Sequence, residues 1–174
     1  MSAPPSQWRS PFEFSRWKEE PHVALANLRD DPAETWRFTC TYGVLAREYR
    51  GEARTIPVAD VFAFRDELRQ VWGDHDERAV SKWLSDDVKG ALWVRHFGTE
   101  IVVENLWTLI RLMFMRDYRD ERLTKCARPD CVRPYFLAVR KSHKFCSHHC
   151  AVLATTRRFR AGQAKARQSL KQGA

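Results

Sequence analysis

Long apolar runs are absent from this 174-residue sequence, and no stretch of about eighteen residues could form a membrane-spanning helix. Only seven glycines are present, and none belongs to a phosphate-cradling glycine loop. Residues 1–8 lack the basic start and apolar segment of a secretory signal. These absences argue against a membrane protein, an exported protein and a P-loop nucleotide-binding enzyme. We therefore expect a cytoplasmic protein.

Acidic side chains are also absent from the last quarter of the chain. Asp130 is the last of them, and the segment from Cys131 to Ala174 holds ten Lys or Arg. Residues 1–130 hold twenty basic and twenty-two acidic side chains, a balance of −2, so the net charge of +8 arises entirely after Asp130. An unopposed positive surface is typical of a protein that contacts phosphate groups.

Four of the five cysteines stand together, in two close pairs with a loop between them. Two such pairs bring four thiolates to one point, and thiolate is the ligand that Zn²⁺ prefers in a closed structural site. A lone fifth cysteine, Cys40, fits a reducing compartment better than a disulfide framework. The spacing therefore predicts one structural zinc ion, bound by Cys126, Cys131, Cys146 and Cys150.

The residues around the two pairs predict how the sulfurs are presented. Pro129 and Asp130 lie inside the first pair, where they favour a tight turn. Ser147 follows Cys146 and is suited to cap a helix that carries the second pair on one face. A knuckle, a short hairpin and this helix would form a treble-clef-like finger. His149 in place of Cys150 as the fourth ligand stays open, because it would give a common two-residue spacing.

The predicted metal site does not favour catalysis. A catalytic zinc ion keeps an open coordination position and usually has histidine or carboxylate ligands, whereas four cysteines close the site. Cys40 lies in no nucleophile motif, and we interpret it as a small buried apolar residue. We therefore predict a protein that is not an enzyme.

The segment from about residue 118 to 168 resembles a known family, the bacterial CGNR-type zinc fingers at the C-termini of stress-induced transcription regulators. The shared features are a Cys-x4-Cys pair containing Pro-Asp, an aromatic pair (Tyr135-Phe136), an aromatic-Cys-Ser before the second pair, and an Arg-rich helix. Upstream, the segments 21–28 and 42–45 resemble those that precede such fingers in some relatives. The Gly-Asn-Arg motif is missing, since Ala-Val-Leu follows Cys150, and three residues rather than four separate the second pair.

The resemblance implies a bacterial DNA-binding transcription regulator whose N-terminal domain senses a signal or mediates association, including homo-oligomer formation. Double-stranded DNA is the expected partner, although RNA stays open. The expected nucleic-acid contacts are basic residues of the finger and tail: Arg140, Lys141, Lys144, Arg157, Arg158, Arg160, Lys165 and Arg167. The alternative is a non-catalytic adaptor whose finger and basic tail bind an acidic partner protein. In either case we expect Val152, Leu153 and Phe159 to pack back on the finger.

We predict a mainly α fold with a small β element in three parts: an irregular arm (1–20), a mainly helical N-terminal domain (21–117) and the zinc finger with its basic helix (118–174). Within the helical domain, 21–28 is a short strand or a helical turn. The next helix starts at Ala33 and has Trp36, Cys40 and Val44 on its inner face.

Apolar spacing predicts the remaining elements of the helical domain. We expect helices over 57–72 and 76–84, a strand over 89–97 and a long helix over 99–118. Val61, Phe64 and Leu68 are predicted to face inward from the first of these, and Leu106, Ile110 and Phe114 from the last.

Overall fold

The computed structural model describes residues 17–45, 56–72, 77–85, 95–97, 100–102 and 105–172. This part of the chain is mainly helical, as predicted, with two short antiparallel strand pairs. The helices are α1 (Pro21–Ala26), α2 (Pro32–Tyr42), α3 (Val58–Trp72), α4 (Glu77–Ser85), α5 (Leu106–Arg119) and α6 (His148–Gln172). The strands are β1 (Arg95–Phe97), β2 (Glu100–Val102), β3 (Leu123–Lys125) and β4 (Tyr135–Leu137). The predictions for residues 1–16 and 89–94 lie outside the described residues.

Prolines start the first two helices. Pro21 and Pro32 occupy first-turn positions, where the missing N–H costs nothing and the fixed φ favours helix. The Asp31 carboxylate caps α2 by accepting a hydrogen bond from the Ala33 N–H at 2.9 Å. Gly43 ends that helix at φ 102°, a conformation that strains any side chain. The segment 21–28 is thus a helix and not a strand.

The prediction of which side chains of α2 face the protein interior is wrong. Phe38 and Tyr42 are buried, while Cys40 is exposed and 69% of the Trp36 surface is accessible. Two aromatic rings one turn apart bury more apolar surface than a Trp–Cys pair would, and Phe38 and Tyr42 lie 4.9 Å apart on one face. Trp17, just before α1, packs edge-on against Tyr42 at 5.2 Å and covers this face.

Helices α3, α4 and α5 form the large core with α1 and α2, and the predicted inner faces of α3 and α5 are confirmed. Aromatic rings make up much of this core, with Trp107 only 4.5 Å from Phe64 and Phe114 5.1 Å from Trp83. The buried members from α3 and α5 include Val61, Phe64, Leu68, Val71, Trp72, Leu106, Trp107, Leu109, Ile110, Met113 and Phe114.

The long helix predicted over 99–118 begins later than expected. Residues 100–102 form β2, which pairs with β1 in the register Arg95–Val102. Asn105 then accepts a hydrogen bond from the Thr108 N–H at 2.8 Å and caps α5, which starts at Leu106. A strong capping residue inside an apolar run thus separates a strand from a helix.

The hairpin of β3 and β4 joins the large core to the cysteine region. Its register pairs Thr124 with Phe136. Side chains alternate along β4 with the period of two expected for a strand. Tyr135 and Leu137 pack against the large core, whereas Phe136 lies in a second, small core with the cysteines. Each face of this strand therefore belongs to a different core.

Candidate metal centre and basic helix

The first cysteine pair lies in a knuckle enclosed by the β3–β4 hairpin. Cys126 directly follows β3, and its N–H donates to the Pro134 carbonyl at 2.7 Å. The Cys131 N–H donates to the Arg128 carbonyl at 3.2 Å, which closes the tight turn that Pro129 and Asp130 predict. The hairpin therefore surrounds the knuckle, rather than following it.

The second pair is presented by the start of α6. Cys146 precedes the helix, and Cys150 lies in its first turn. Ser147 caps the helix as predicted, because its Oγ accepts a hydrogen bond from the Cys150 N–H at 3.2 Å. The Ala127 N–H donates to the Lys144 carbonyl at 2.8 Å and ties the loop before Cys146 to the knuckle.

The four cysteine Sγ atoms form one cluster and all lie within 4.8 Å of one another. Cys131 Sγ is 3.5 Å from Cys146 Sγ and 3.8 Å from Cys150 Sγ, and the last two are 3.5 Å apart. A tetrahedral site with metal–sulfur bonds of about 2.3 Å has sulfur–sulfur edges of about 3.8 Å. These separations fit the edges of a metal tetrahedron and exceed a disulfide bond of about 2.05 Å by far. The cluster could therefore hold a metal ion.

The cluster contains no histidine among the described residues. His149, the alternative fourth ligand, is exposed, whereas only 5% of the Cys150 surface is accessible. One helical turn from the cap directs Cys150 inward and the neighbouring His149 outward. The geometry therefore favours Cys150 as the fourth ligand.

The thiols of the metal-free chain have unequal proton affinities. Burial and the neighbouring thiols raise the pKa of Cys146 to about 12. Hydrogen bonding to the Ser147 hydroxyl lowers the pKa of Cys150 to about 7. Four sulfurs this close cannot all become anionic without a cation between them. Metal binding at neutral pH must therefore release protons, and its affinity must fall as the pH is lowered.

Arg128 contacts the cysteine cluster, and no pattern in the sequence indicates this contact. Its Nη1 lies 3.6 Å from Cys150 Sγ, and its Nε donates to Asp130 Oδ1 at 3.0 Å. Asp130 Oδ1 also lies 3.7 Å from Arg157 Nη1 on α6. The guanidinium therefore places a positive charge against a ligand sulfur while Asp130 holds it in position.

The cysteines share their small core with two buried side chains, Phe136 and Ala138. His143 meets the Phe136 ring edge-on at 5.4 Å, and Phe145 packs against the same cluster. Because so few apolar residues take part, this core has little hydrophobic stabilisation of its own.

Asn27 at the end of α1 fastens the hairpin to the large core. Its side-chain amide donates to the Tyr135 carbonyl at 2.7 Å, and its carbonyl oxygen accepts from the Tyr135 N–H at 3.1 Å. The side chain thus pairs with Tyr135 as a neighbouring strand would. Trp72 adds a hydrogen bond from Nε1 to the Thr124 carbonyl at 3.2 Å.

A buried charged cluster lies where α5 leads into the hairpin. Asp117 is fully buried, its Oδ2 lies 2.8 Å from Arg116 Nη2, and its Oδ1 lies 3.0 Å from Arg122 Nη1. His22 Nε2 is 3.1 Å from Asp117 Oδ2, close but not aligned for a hydrogen bond. Burial alone would raise the pKa of Asp117, but the neighbouring His22 and Arg116 outweigh it and hold that pKa at about 2.

The predicted phosphate contacts are exposed wherever the structure describes their side chains. Arg140, Lys141 and Lys144 lie in the loop before Cys146, and Lys141 is paired with Glu121. Arg157, Arg158 and Arg160 follow on α6 and are also exposed. Lys165 and Arg167 lie farther along α6, but their side chains are outside the described part of the structure. The cysteine cluster thus lies at the start of a helix that carries exposed positive charge.

The apolar residues of α6 do not pack as expected. Val152, Leu153 and Phe159 are 46%, 39% and 66% exposed, which contradicts the prediction that they fold back on the finger. The covered positions near the start of α6 are instead Cys150, which is buried, and Ala151 and Ala154, which are half-buried. Helical periodicity therefore predicted the apolar positions but not the direction of the protein interior.

Comparisons with known proteins give no relative for this chain: no family model, no curated protein and no solved structure matches it. The likeness to CGNR-type fingers therefore stays an interpretation of the residues that carry it. Within the described residues, no helix has both the length and the apolar character needed to cross a membrane.

Proposed function

We propose that the chain is a non-catalytic nucleic-acid-binding protein, a DNA-binding transcription regulator of the kind that the likeness to CGNR-type fingers implies. One zinc ion, bound by the four cysteines, holds a treble-clef-like finger together and fixes the start of α6. The exposed basic side chains of the finger and of α6 contact the phosphates of duplex DNA. The helical N-terminal region senses a signal or mediates association.

Zinc fits the donor set of the cluster. Four thiolates at these separations provide soft ligands and a closed tetrahedral site, which suits Zn²⁺ better than Mg²⁺ or Ca²⁺, ions that require oxygen ligands. A closed site leaves no position for a reacting water or substrate. The role of the ion in this proposal is therefore structural.

One observation carries the nucleic-acid proposal. Ten Lys or Arg and no Asp or Glu follow Asp130, and the six that lie in the loop before Cys146 and on α6, up to Arg160, are exposed. Arg65 and Arg69 contrast with them, since they bind carboxylates and backbone carbonyls of the helical region. Lys141 and Arg157 have only surface pairs, with Glu121 and Asp130, so these exposed cations stay accessible to neutralise phosphates and release counterions.

Salt dependence tests this proposal directly. The full-length zinc-loaded chain should bind duplex DNA with an affinity that falls linearly in a plot of log affinity against log salt. The double variant Arg157→Ala/Arg158→Ala should reduce the slope by about 1.8, because each lost phosphate contact removes about 0.9. Fluorescence anisotropy with a labelled duplex at several salt concentrations measures both quantities.

A matched control removes two exposed charges from the helical region, in the variant Arg37→Ala/Lys82→Ala, and should leave the slope unchanged. If the wild-type chain shows no salt-sensitive binding to duplex DNA at low ionic strength, the proposal is wrong. That outcome would favour the alternative adaptor, in which the same surface binds an acidic protein.

A further inference from the structure

Four exposed side chains of α6 lie along one line of the helix. With about 100° between successive residues, Val152, Thr156, Phe159 and Gln163 fall within an arc of about 60°. All four are exposed, and 66% of the Phe159 surface is accessible. We refer to these four residues as the outer stripe.

The finger lies behind the outer stripe. Cys150, which is buried, and Ala154, which is half-buried, are rotated by about 160° to 200° from Val152 around the helix axis, and the half-buried Ala151 lies about 100° to one side of it. Residues 155–164 are exposed without exception. The described parts of the protein therefore leave the outer stripe open to a partner along its whole length.

Positive charges border the outer stripe on both sides. Arg160 lies about 80° to one side of Val152, with Arg157 beyond it, and Arg158 lies about 120° to the other side. The major groove of duplex DNA offers the complementary cross-section, since phosphates line both walls and base edges form the floor. At about 12 Å the groove is wide enough to accept a helix.

The composition of the outer stripe fits base edges better than a protein surface. A helix that packs on another helix needs large apolar residues at most contact positions, but Thr156 and Gln163 alternate with Val152 and Phe159. Base edges present both methyl groups and hydrogen-bonding groups. A second copy of α6 would also bring like charges together, because Arg157, Arg158 and Arg160 have no acidic neighbour on the helix.

From this placement we propose that α6 enters the major groove with the outer stripe toward the bases, and that the stripe prefers A·T pairs. Gln163 pairs its amide with the N6 and N7 atoms of adenine, and Phe159 contacts a thymine methyl group. Thr156 donates its hydroxyl to the Val152 carbonyl at 3.0 Å, which leaves its methyl group for the same kind of contact. This inference rests on the proposed DNA binding and names the residues that make it sequence-specific.

Selection from a pool of random duplexes with the full-length zinc-loaded chain is the first step of the test. We expect the retained sequences to be enriched in A·T pairs over a short core. The selected duplex and a scrambled duplex of equal composition then serve as the two probes. The ratio of their dissociation constants measures specificity, whereas the absolute constants also include phosphate contacts.

Variants of the outer stripe should reduce that ratio. Gln163→Ala and Phe159→Ala should each lower it about fivefold or more, the discrimination expected from one lost base contact. Arg158→Ala should weaken binding to both duplexes and leave the ratio unchanged. Gln168→Ala is the matched control, because Gln168 is exposed on the same helix but lies about 160° from Val152. Zinc content and helicity of each variant verify the fold.

Different experimental results would overturn this inference and the proposed function. Binding without enrichment of any sequence, or a ratio that survives both outer-stripe variants, would overturn the inference while DNA binding stands. A change of oligomeric state in Phe159→Ala with an unchanged ratio would assign the stripe to self-association instead. An absence of duplex binding by the wild-type chain would overturn both proposals.

Discussion

The helical core and the cysteine finger are stabilised in different ways. Apolar burial holds the helical core together, and large rings such as Trp107 and Phe114 are almost completely inaccessible. The finger has only Phe136, Ala138 and the cysteines in its core. Burial of so few groups is worth a few kcal/mol at most, less than the conformational entropy of ordering the knuckle and loops. This difference predicts that the finger needs a bound metal ion to stay folded, while the helices do not.

The two regions also differ in how they use charge. In the helical core, arginines such as Arg65 bind carboxylates and carbonyls of the same region. On α6, the contact of Arg157 with a carboxylate of the described residues is a weak one, 3.7 Å from Asp130, and no acidic side chain follows Asp130 in the sequence. Internal pairing fixes a fold, whereas unpaired charge serves an external partner. We therefore expect the region with the smaller core to be the one that binds a partner.

Removal of a metal ligand should produce the largest difference between the two regions, because it should unfold one and leave the other folded. Cys146→Ser should lower the zinc content from about one ion per chain to nearly none, because three thiolates cannot close the tetrahedron. We expect the finger to unfold while the aromatic core around Trp107 stays folded. Elemental analysis and tryptophan fluorescence after purification check the two parts of this prediction.

Cys40→Ser is the matched control, since Cys40 is exposed on α2 and lies far from the cluster in sequence. It should retain one zinc ion per chain. The comparison between the regions fails if Cys146→Ser retains its zinc, or if its tryptophan spectrum becomes that of the unfolded chain.

Replacement of the buried Asp117 tests whether its charged cluster stabilises the boundary between the two regions. The pKa of Asp117, about 2, lies below the ordinary value of about 3.9. The ionised carboxylate therefore stabilises the fold at pH values above about 3.9, and this stabilisation is lost as the pH falls toward 2. Asp117→Asn should therefore lower the free energy of unfolding at neutral pH by about 2 kcal/mol, because Arg116, Arg122 and His22 lose their charged partner.

Urea unfolding at pH 7 of the zinc-loaded chain measures this change. Asp120→Asn serves as the control, since Asp120 is exposed three residues away and its replacement should alter the free energy by no more than about 0.5 kcal/mol. Equal effects of the two substitutions would show that the cluster around Asp117 does not hold the regions together.

The cysteine centre was largely predictable from the sequence, because ligand spacing is a local property. The distances among four sulfurs follow from two short turns, and the Ser147 cap needs only the residues beside it. The same holds for the inner faces of α3 and α5, where period and composition agree. Local geometry was sufficient at these positions.

The errors arose wherever a distant part of the chain decides the outcome. The inner face of α2 depends on Trp17, which covers Tyr42, and no feature inside the helix shows this. The exposure of the Phe159 side chain depends on which side of α6 packs against the finger. The pairing of Asn27 with Tyr135 joins positions 108 residues apart. Such contacts are set by tertiary packing, which a single sequence does not reveal.

The smallest expected effect concerns Arg128, which links the metal centre to the charge of the finger. Its Nη1 lies 3.6 Å from Cys150 Sγ, so it offsets the negative charge that this sulfur carries as a thiolate ligand. Without the guanidinium, that sulfur is more readily protonated and displaced. Arg128→Ala should therefore release zinc to a chromogenic chelator about ten times faster than the wild-type chain, the lower end of the range for outer contacts of metal ligands.

Arg133→Ala is the matched control, because the Arg133 guanidinium is also paired with a carboxylate, Glu19, but contacts no sulfur among the described residues, and the backbone N–H of Arg133 that bonds to Cys131 is kept in the variant. Its zinc release should equal that of the wild-type chain. Arg128→Lys separates charge from geometry: an ammonium retains the charge but cannot contact the sulfur and Asp130 at once, so its rate should fall between those of the other two variants. If all three variants release zinc at the wild-type rate, the finger holds its metal through the four thiolates alone.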